Sequence, residues 1–504
     1  MDSRGRIVLI LGLGLTMSAC FSSSDTPSGP DAGGAPEADA GTGMDGASDG
    51  GSAADAGTDA ASDGATADGG GTGDGGAVVT CTPSGAPVTH TSDIVASETW
   101  ASGIHVVANT LQIKTGARLT VAACSEVRLA PGASINVTGT AAGLDAVGTD
   151  GSPIRFVPLR PGMPWGSIEV TAPAVANLTD VTLSGGGTGP HASSAFGGAS
   201  LVGNASDPAR PVVLALKHVK ITGSAGLGIF LRSASFDPQS LDLAITGSGW
   251  YPMYLGVASA DTVPSGTYTG NALDQILLQS FDVASYDDTA PITSDVTIHD
   301  YGVPYRVGTA PSSIEVGDGV GGHPSASLTL AAGVHLLFTP QGAGGRSQIL
   351  VTSQDNGGTS APQGALIVQG TSAAPVVLDS AGDTPAPGDW QGLYFSHLVD
   401  PRTSIAYARI LHAGGASGAV GICGSTPAAP NGAATCAIVV LADQAPAAFL
   451  ANSTIDSAPC GVYRGWSMGA VNFIASNAFS AVPGCSETSI PQAGGQCAAC
   501  PTAP

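Results

Sequence analysis

Pro153–Val170 (PIRFVPLRPGMPWGSIEV) and Pro375–Phe395 (PVVLDSAGDTPAPGDWQGLYF) are built to one plan. Each runs from a Pro-led apolar strand, through a Gly/Pro loop, to a Trp that opens a second apolar strand. A unit met twice in one chain is a repeat signal, and repeats restrict the fold more than local propensity does. Strands this short cannot bury a face alone. Stacked on neighbours, they share one continuous core.

The order around the two units is also shared. Ser97–Val107 is matched by Ile298–Gly308, Ala117–Gly132 by Ser327–Gly342, and Ile135–Thr140 by Leu366–Thr371. Beyond the Trp units, Asp180–Gly187 is matched by Ala408–Gly415 and Leu216–Phe230 by Leu450–Tyr463. Spacings drift while the order holds, as loop insertions on a common scaffold would produce. Within the first copy, Leu111–Ile113, Leu119–Ala122, Val127–Leu129, Ile135–Val137 and Ile154–Val157 read as successive strands separated by turns. The 73 Gly and 35 Pro fit such turn-rich β architecture and argue against helical bundles.

Charge narrows the partners. Lys+Arg is 16 against Asp+Glu 39, a formal net charge of −23 that repels phosphate backbones and excludes nucleic acid as a partner. Eleven of the acidic residues lie between Asp25 and Asp74, in a Ser/Asp/Gly/Ala-rich stretch, residues 21–80, without Lys or Arg. Such a segment cannot bury enough surface to offset its ordering entropy and is expected to be a disordered linker, extended by like-charge repulsion. Its irregular Asp spacing holds no calcium-loop pattern.

Residues 1–20 read as a signal peptide: Arg4 and Arg6 precede the apolar run Ile7–Met17. The segment closes on Met17-Ser18-Ala19-Cys20, which resembles the lipobox of bacterial lipoproteins. The resemblance implies that Cys20 is lipidated and anchors the chain in a membrane. Phe21 after the Cys, rather than Asp, implies the outer membrane or cell surface by the sorting rule of that family.

The runs SGIHVV (Ser102–Val107), GSPIRFVP (Gly151–Pro158), GDWQGLYF (Gly388–Phe395), ARILHAGG (Ala408–Gly415) and TYTGN (Thr267–Asn271) resemble bacterial surface lipoproteins of the pectate-lyase-like superfamily. The resemblance covers residues 92–484 and implies an all-β fold, a right-handed parallel β-helix solenoid. Two related modules, residues 81–295 and 296–504, are expected after the disordered linker. A pair of β-sandwiches is the alternative architecture. In function the resemblance implies a cell-envelope protein that binds extracellular polysaccharide or serves structurally without catalysis. The competing readings are a polysaccharide lyase or glycoside hydrolase, and an adhesion scaffold.

Candidate chemistry is sparse. Trp165 and Trp390 suit corner plugs better than sugar-stacking platforms, because each sits between a loop and an apolar strand. Trp250, Tyr251 and Tyr254 cluster with Pro252 and are candidates to line a groove. Asp287-Asp288 is the adjacent acidic pair a hydrolase would need, although its setting, SYDDT, reads as a solvated loop. Arg155, Arg232 and Arg306 are candidate bases for lyase chemistry, and Lys217-His218-Val219-Lys220 does not substitute for an Arg-x-Lys motif. The nine His lack metal-ligand spacing. No catalytic, cofactor or metal residue is therefore assigned; Cys20 is the site residue.

Eight cysteines remain beyond Cys20, and an even number after an export signal implies disulfides in an oxidising compartment. The expected pairs are Cys81–Cys124, Cys423–Cys436, Cys460–Cys485 and Cys497–Cys500. The last also has C-x-x-C form, but without the βαβ context of a redox motif.

Overall fold

Side chains alternate between core and solvent along many of the strands, and the strands join by parallel pairing into stacked turns. The structure, a computed structural model, describes residues 81–489 apart from 190–196, 207–208, 280–290, 320–323, 343–344, 356–359, 397, 418–434, 442–444, 446 and 467–470. Signal peptide, linker, Cys20, Asp287, Asp288, Cys423, Cys497 and Cys500 all lie outside these residues. One turn shows the scheme: Ser125–Leu129, then Ile135–Thr138, then Gly143–Val147, each on a different face. Val127, Leu129, Ile135, Val137, Leu144 and Ala146 point inward and are fully buried. The chain is a parallel β-helix; the only antiparallel pair among the described strands is Ser353–Asp355 with Ser360–Pro362. That pairing pattern removes the β-sandwich alternative. A right-handed turn is the sense that parallel crossovers adopt.

One sheet of 13 strands runs the length of the solenoid, from Leu111–Ile113 to Ala478–Ser480, and the other two faces are each split. At about 4.8 Å per strand its 13 strands span roughly 58 Å. In each turn the chain passes from a leading sheet to this long sheet and then to a trailing sheet. In the first half the leading sheet has eight strands and the trailing sheet six; in the second half they have five and six.

The break falls between Gly266–Thr267, the last strand of the first leading sheet, and Val296–Ile298, the first of the second. There the short 3₁₀ segment Val257–Thr262 takes the place of a trailing strand. Three tyrosines fill the seam. Tyr268 and Tyr305 are fully buried, and the hydroxyls of Tyr268, Tyr301 and Tyr305 donate to the carbonyls of Pro264, Val263 and His299 at 2.5, 2.6 and 2.7 Å. Burial pushes all three phenols up. Arg210, 3.7 Å from Asp261 and donating to Ser294 Oγ at 2.7 Å, ties both sides of the seam together.

The matched segments occupy matched places, rotated by one face. Gly103–Val107 and Ser125–Leu129 lie on the first leading sheet, whereas their counterparts Tyr305–Val307 and His335–Phe338 lie on the long sheet. Long-sheet strands of the first half, such as Ile168–Thr171 and Leu227–Arg232, correspond to Gly392–Phe395 and Cys460–Arg464 of the second trailing sheet. One expected pair does not fit. Ile135–Thr138 is on the long sheet, but Gly364–Gln369 is on the second leading sheet, where its counterpart is Gly143–Val147. Both alternate buried with less buried residues before a Gly, a pattern common to any inward-facing strand and silent about its face.

Corners repeat too. Asp180, His218 and Asp242 turn the chain between trailing and leading strands with φ of 49°, 54° and 53°; in the second half Tyr407 and Asn452, at 50° and 53°, turn it between leading and long-sheet strands, in keeping with the one-face rotation. Left-handed backbone is disfavoured for most side chains, and Asp, Asn and His tolerate it best.

Candidate functional site

Trp165 and Trp390 are fully buried and make the same bond in the two halves. Trp165 Nε1 donates to Ser184 O at 2.7 Å and Trp390 Nε1 to Leu411 O at 2.8 Å. Each acceptor closes the corresponding strand of the following turn, so each indole pins a corner to the next coil. Trp390 also stacks on Phe338, with centroids 4.2 Å apart and planes at 3°. Neither ring is open to a sugar.

The expected groove residues separate. Trp250 is 42% exposed, whereas Tyr251 and Tyr254 are each 4% exposed. Tyr254 packs on Phe230 at 5.2 Å and donates to Gln279 Oε1. They belong to an outward-facing apolar cluster of the long sheet that includes Val202, Leu227 and Leu277. The second trailing sheet carries its counterpart in Tyr394, Val439, Tyr463, Cys436, Cys460 and Cys485. In register terms Ala199 faces Leu227 as Cys436 faces Cys460, and Val202 faces Phe230 as Val439 faces Tyr463.

That register decides the disulfides. Cys81–Cys124 is formed as expected, with Cα atoms 5.8 Å apart. Cys436 bonds Cys460, with Cα atoms 4.2 Å apart, so the expected Cys423–Cys436 and Cys460–Cys485 pairs are both wrong. In stacked coils the spatial neighbour of a residue lies one full turn away, here 24 residues, rather than across the nearest loop. Cys485 is also disulfide-bonded.

The basic candidates lie apart. Arg155 is on the first leading sheet, 3.5 Å from Glu126, which also holds Arg128 at 2.6 Å. Arg232 and Arg306 are both on the long sheet, but three strands apart, or roughly 14 Å. Arg306 donates to Gly308 O at 3.3 Å. Among the described residues, no group of three or more His, Cys, Asp or Glu is placed to hold a metal ion. Among the described residues, no helix is long and apolar enough to cross a membrane.

Three polar clusters were not legible in the sequence. His218, at the corner beside Lys217 and Lys220, lies between two carboxylates of adjacent turns: Nδ1 is 3.3 Å from Asp180 Oδ1 and Nε2 is 3.4 Å from Asp242 Oδ2. On the second half of the long sheet, His412 Nδ1 pairs with Asp379 Oδ1 at 2.7 Å. At the starts of the second leading strands, Asp400 accepts from Ser325 Oγ at 2.6 Å and Arg402 Nη2 at 3.0 Å, and Asp295 lies 3.6 Å from Arg402. Burial alone would raise the Asp400 carboxyl, but the donors of Arg402 and Ser325 outweigh it and hold it below its ordinary value. Their signal would have been the register of the coils, which sequence spacing hides.

The outward positions of the first leading sheet form columns in strand register. Glu126 faces Arg155, Arg155 faces Thr182, and Thr182 faces Lys220. On the long sheet of the second half, His335 and Arg409 share a column with Val377 between them, and Asp379 lies in the next column, opposite Leu337. The first-half column presents one hydrogen-bonding group per strand, about every 4.8 Å along the axis. Compared with family models, with curated proteins and with solved structures, the chain matches none of them.

Proposed function

We propose that this is an exported envelope lipoprotein, anchored through Cys20 and related to the pectate-lyase-like β-helices, whose solenoid holds extracellular polysaccharide without cleaving it. The supporting observation is the column of charged and hydroxyl side chains on the first leading sheet, Glu126–Arg155–Thr182–Lys220. A periodic ladder of donors and acceptors suits a periodic polymer. Its carboxylate is engaged: Glu126 pairs with Arg128 and Arg155. A carboxylate held by a cation is a poor general base, because its charge is already compensated.

The test has two arms. Full-length acylated protein is incubated with neutral and acidic polysaccharides, with and without calcium, and both sedimentation and new chain ends are measured. Retention without new ends supports binding; new reducing or unsaturated ends overturn the non-catalytic reading. In the second arm, membrane fractionation of Cys20→Ser against the parent chain tests the anchor, and unchanged partitioning overturns it.

A further inference from the structure

The first turn of the solenoid is closed by a stack of three rings. His90 lies on the strand Val88–His90, Trp100 ends Glu98–Trp100, and His105 points inward from Gly103–Val107. The His90 and Trp100 centroids are 3.9 Å apart with planes at 20°, and Trp100 and His105 are 5.1 Å apart at 17°. Trp100 and His105 are 3% and 4% exposed, so the stack covers the open end of the core.

The hydrogen bonds fix the protons. His105 Nε2 lies 2.7 Å from Ala101 O, which can only accept, so Nε2 carries the hydrogen. His105 Nδ1 is then the acceptor in its 3.0 Å contact with His90 Nε2, which must donate. A proton added to His90 Nδ1 would place a cation in a half-buried stack. Glu98 is the carboxylate facing it, and its Oε1 accepts from Trp100 Nε1 at 2.8 Å. Asp93 and Lys114, further along the same turn, neutralise each other at 2.7 Å.

We propose that this turn is an acid-sensitive latch: the His90–Trp100–His105 stack holds Val88–His90 against Gly103–Val107 while His90 is neutral, and protonation of His90 releases it. The released strand makes only three register pairs and has no partner on its other edge among the described strands. Its Val88 is already 53% exposed, so few apolar contacts oppose release. Opening bares the edge of the first leading sheet, a template for strand addition. The Cys81–Cys124 disulfide keeps the freed segment tethered, so it recloses when pH returns.

The direction of titration agrees. Burial, and then the neighbouring His105, lower the His90 pKa from 6.5, with Glu98 opposing. A folded value below the unfolded one means the stack contributes fully above about 6.5 and loses that contribution as pH falls through the lowered value.

Hydrogen exchange of the full-length chain, corrected for intrinsic rates, decides the matter. Between about pH 7.5 and about pH 5, protection in residues 88–107 is expected to fall roughly tenfold relative to Ala199–Asn204 in mid-solenoid. A constant ratio overturns the latch. His90→Gln keeps a donor toward His105 but does not titrate, and its protection ratio is expected to lose its pH dependence. An unchanged acid response in His90→Gln likewise overturns the proposal. If that variant loses its first turn at every pH, the parent chain's ratio alone decides.

Discussion

Truncating Trp390 should separate a corner plug from a sugar platform. The ring is fully buried, stacks on Phe338 at 4.2 Å and donates to Leu411 O at 2.8 Å. Removing about 150–250 Å² of buried aromatic surface at ~25 cal/mol per Å² amounts to about 4–6 kcal/mol, an upper value because unfolded chains are partly collapsed. Trp→Ala in packed cores costs about 3–5 kcal/mol, and Trp390→Ala is expected within that range. Trp390→Phe keeps the stack but orphans the Leu411 carbonyl, a loss of about 1–3 kcal/mol. Urea titration followed by far-UV circular dichroism reads both, with Trp250→Ala as control. Trp250 is 42% exposed, so its loss should stay within about 0.5 kcal/mol. Because turns of a solenoid can melt separately, hydrogen exchange in Val376–Ser380 and Ala408–Leu411 should report the damage locally. A Trp390→Ala curve no weaker than that of Trp250→Ala, with polysaccharide retention lost, would refute the plug.

The other expectations are shorter. Replacing Cys436 and Cys460 together by Ala opens a loop with a sequence separation of 24 and should cost about 3–4 kcal/mol in the chain-entropy account, read by urea titration. Asp400→Asn should flatten the acid limb of the stability profile: the lowered carboxyl stabilises above its ordinary value of 3.8, and that contribution is lost as pH falls through the folded value. Arg155→Glu with Lys220→Glu reverses charge on one outward column and should weaken polysaccharide retention at least tenfold, with the circular dichroism spectrum unchanged. Tyr268→Phe removes the buried bond to Pro264 O and should destabilise the seam by about 1–3 kcal/mol, seen as faster exchange in Val257–Thr262.

Much of the fold was legible because alternation with period two and Gly punctuation act locally. Leu111–Ile113 is the strand read from sequence, and Ser125–Leu129 and Ile154–Pro158 differ from the reading by one or two residues. The Trp corners and the Cys81–Cys124 bond also follow from residues whose sequence context marks their place. What stacking determines was hidden. Turn lengths vary with their loops, so no fixed spacing shows that Cys436 meets Cys460 or that His218 sits between Asp180 and Asp242. The one-face rotation between the halves is equally silent, since an inward strand has the same pattern on any face. Strands, Trp corners and their repeated order depend on neighbours along the chain, and so could be read from it. Which side chains share a face depends on register between coils, and packing across turns sets that register.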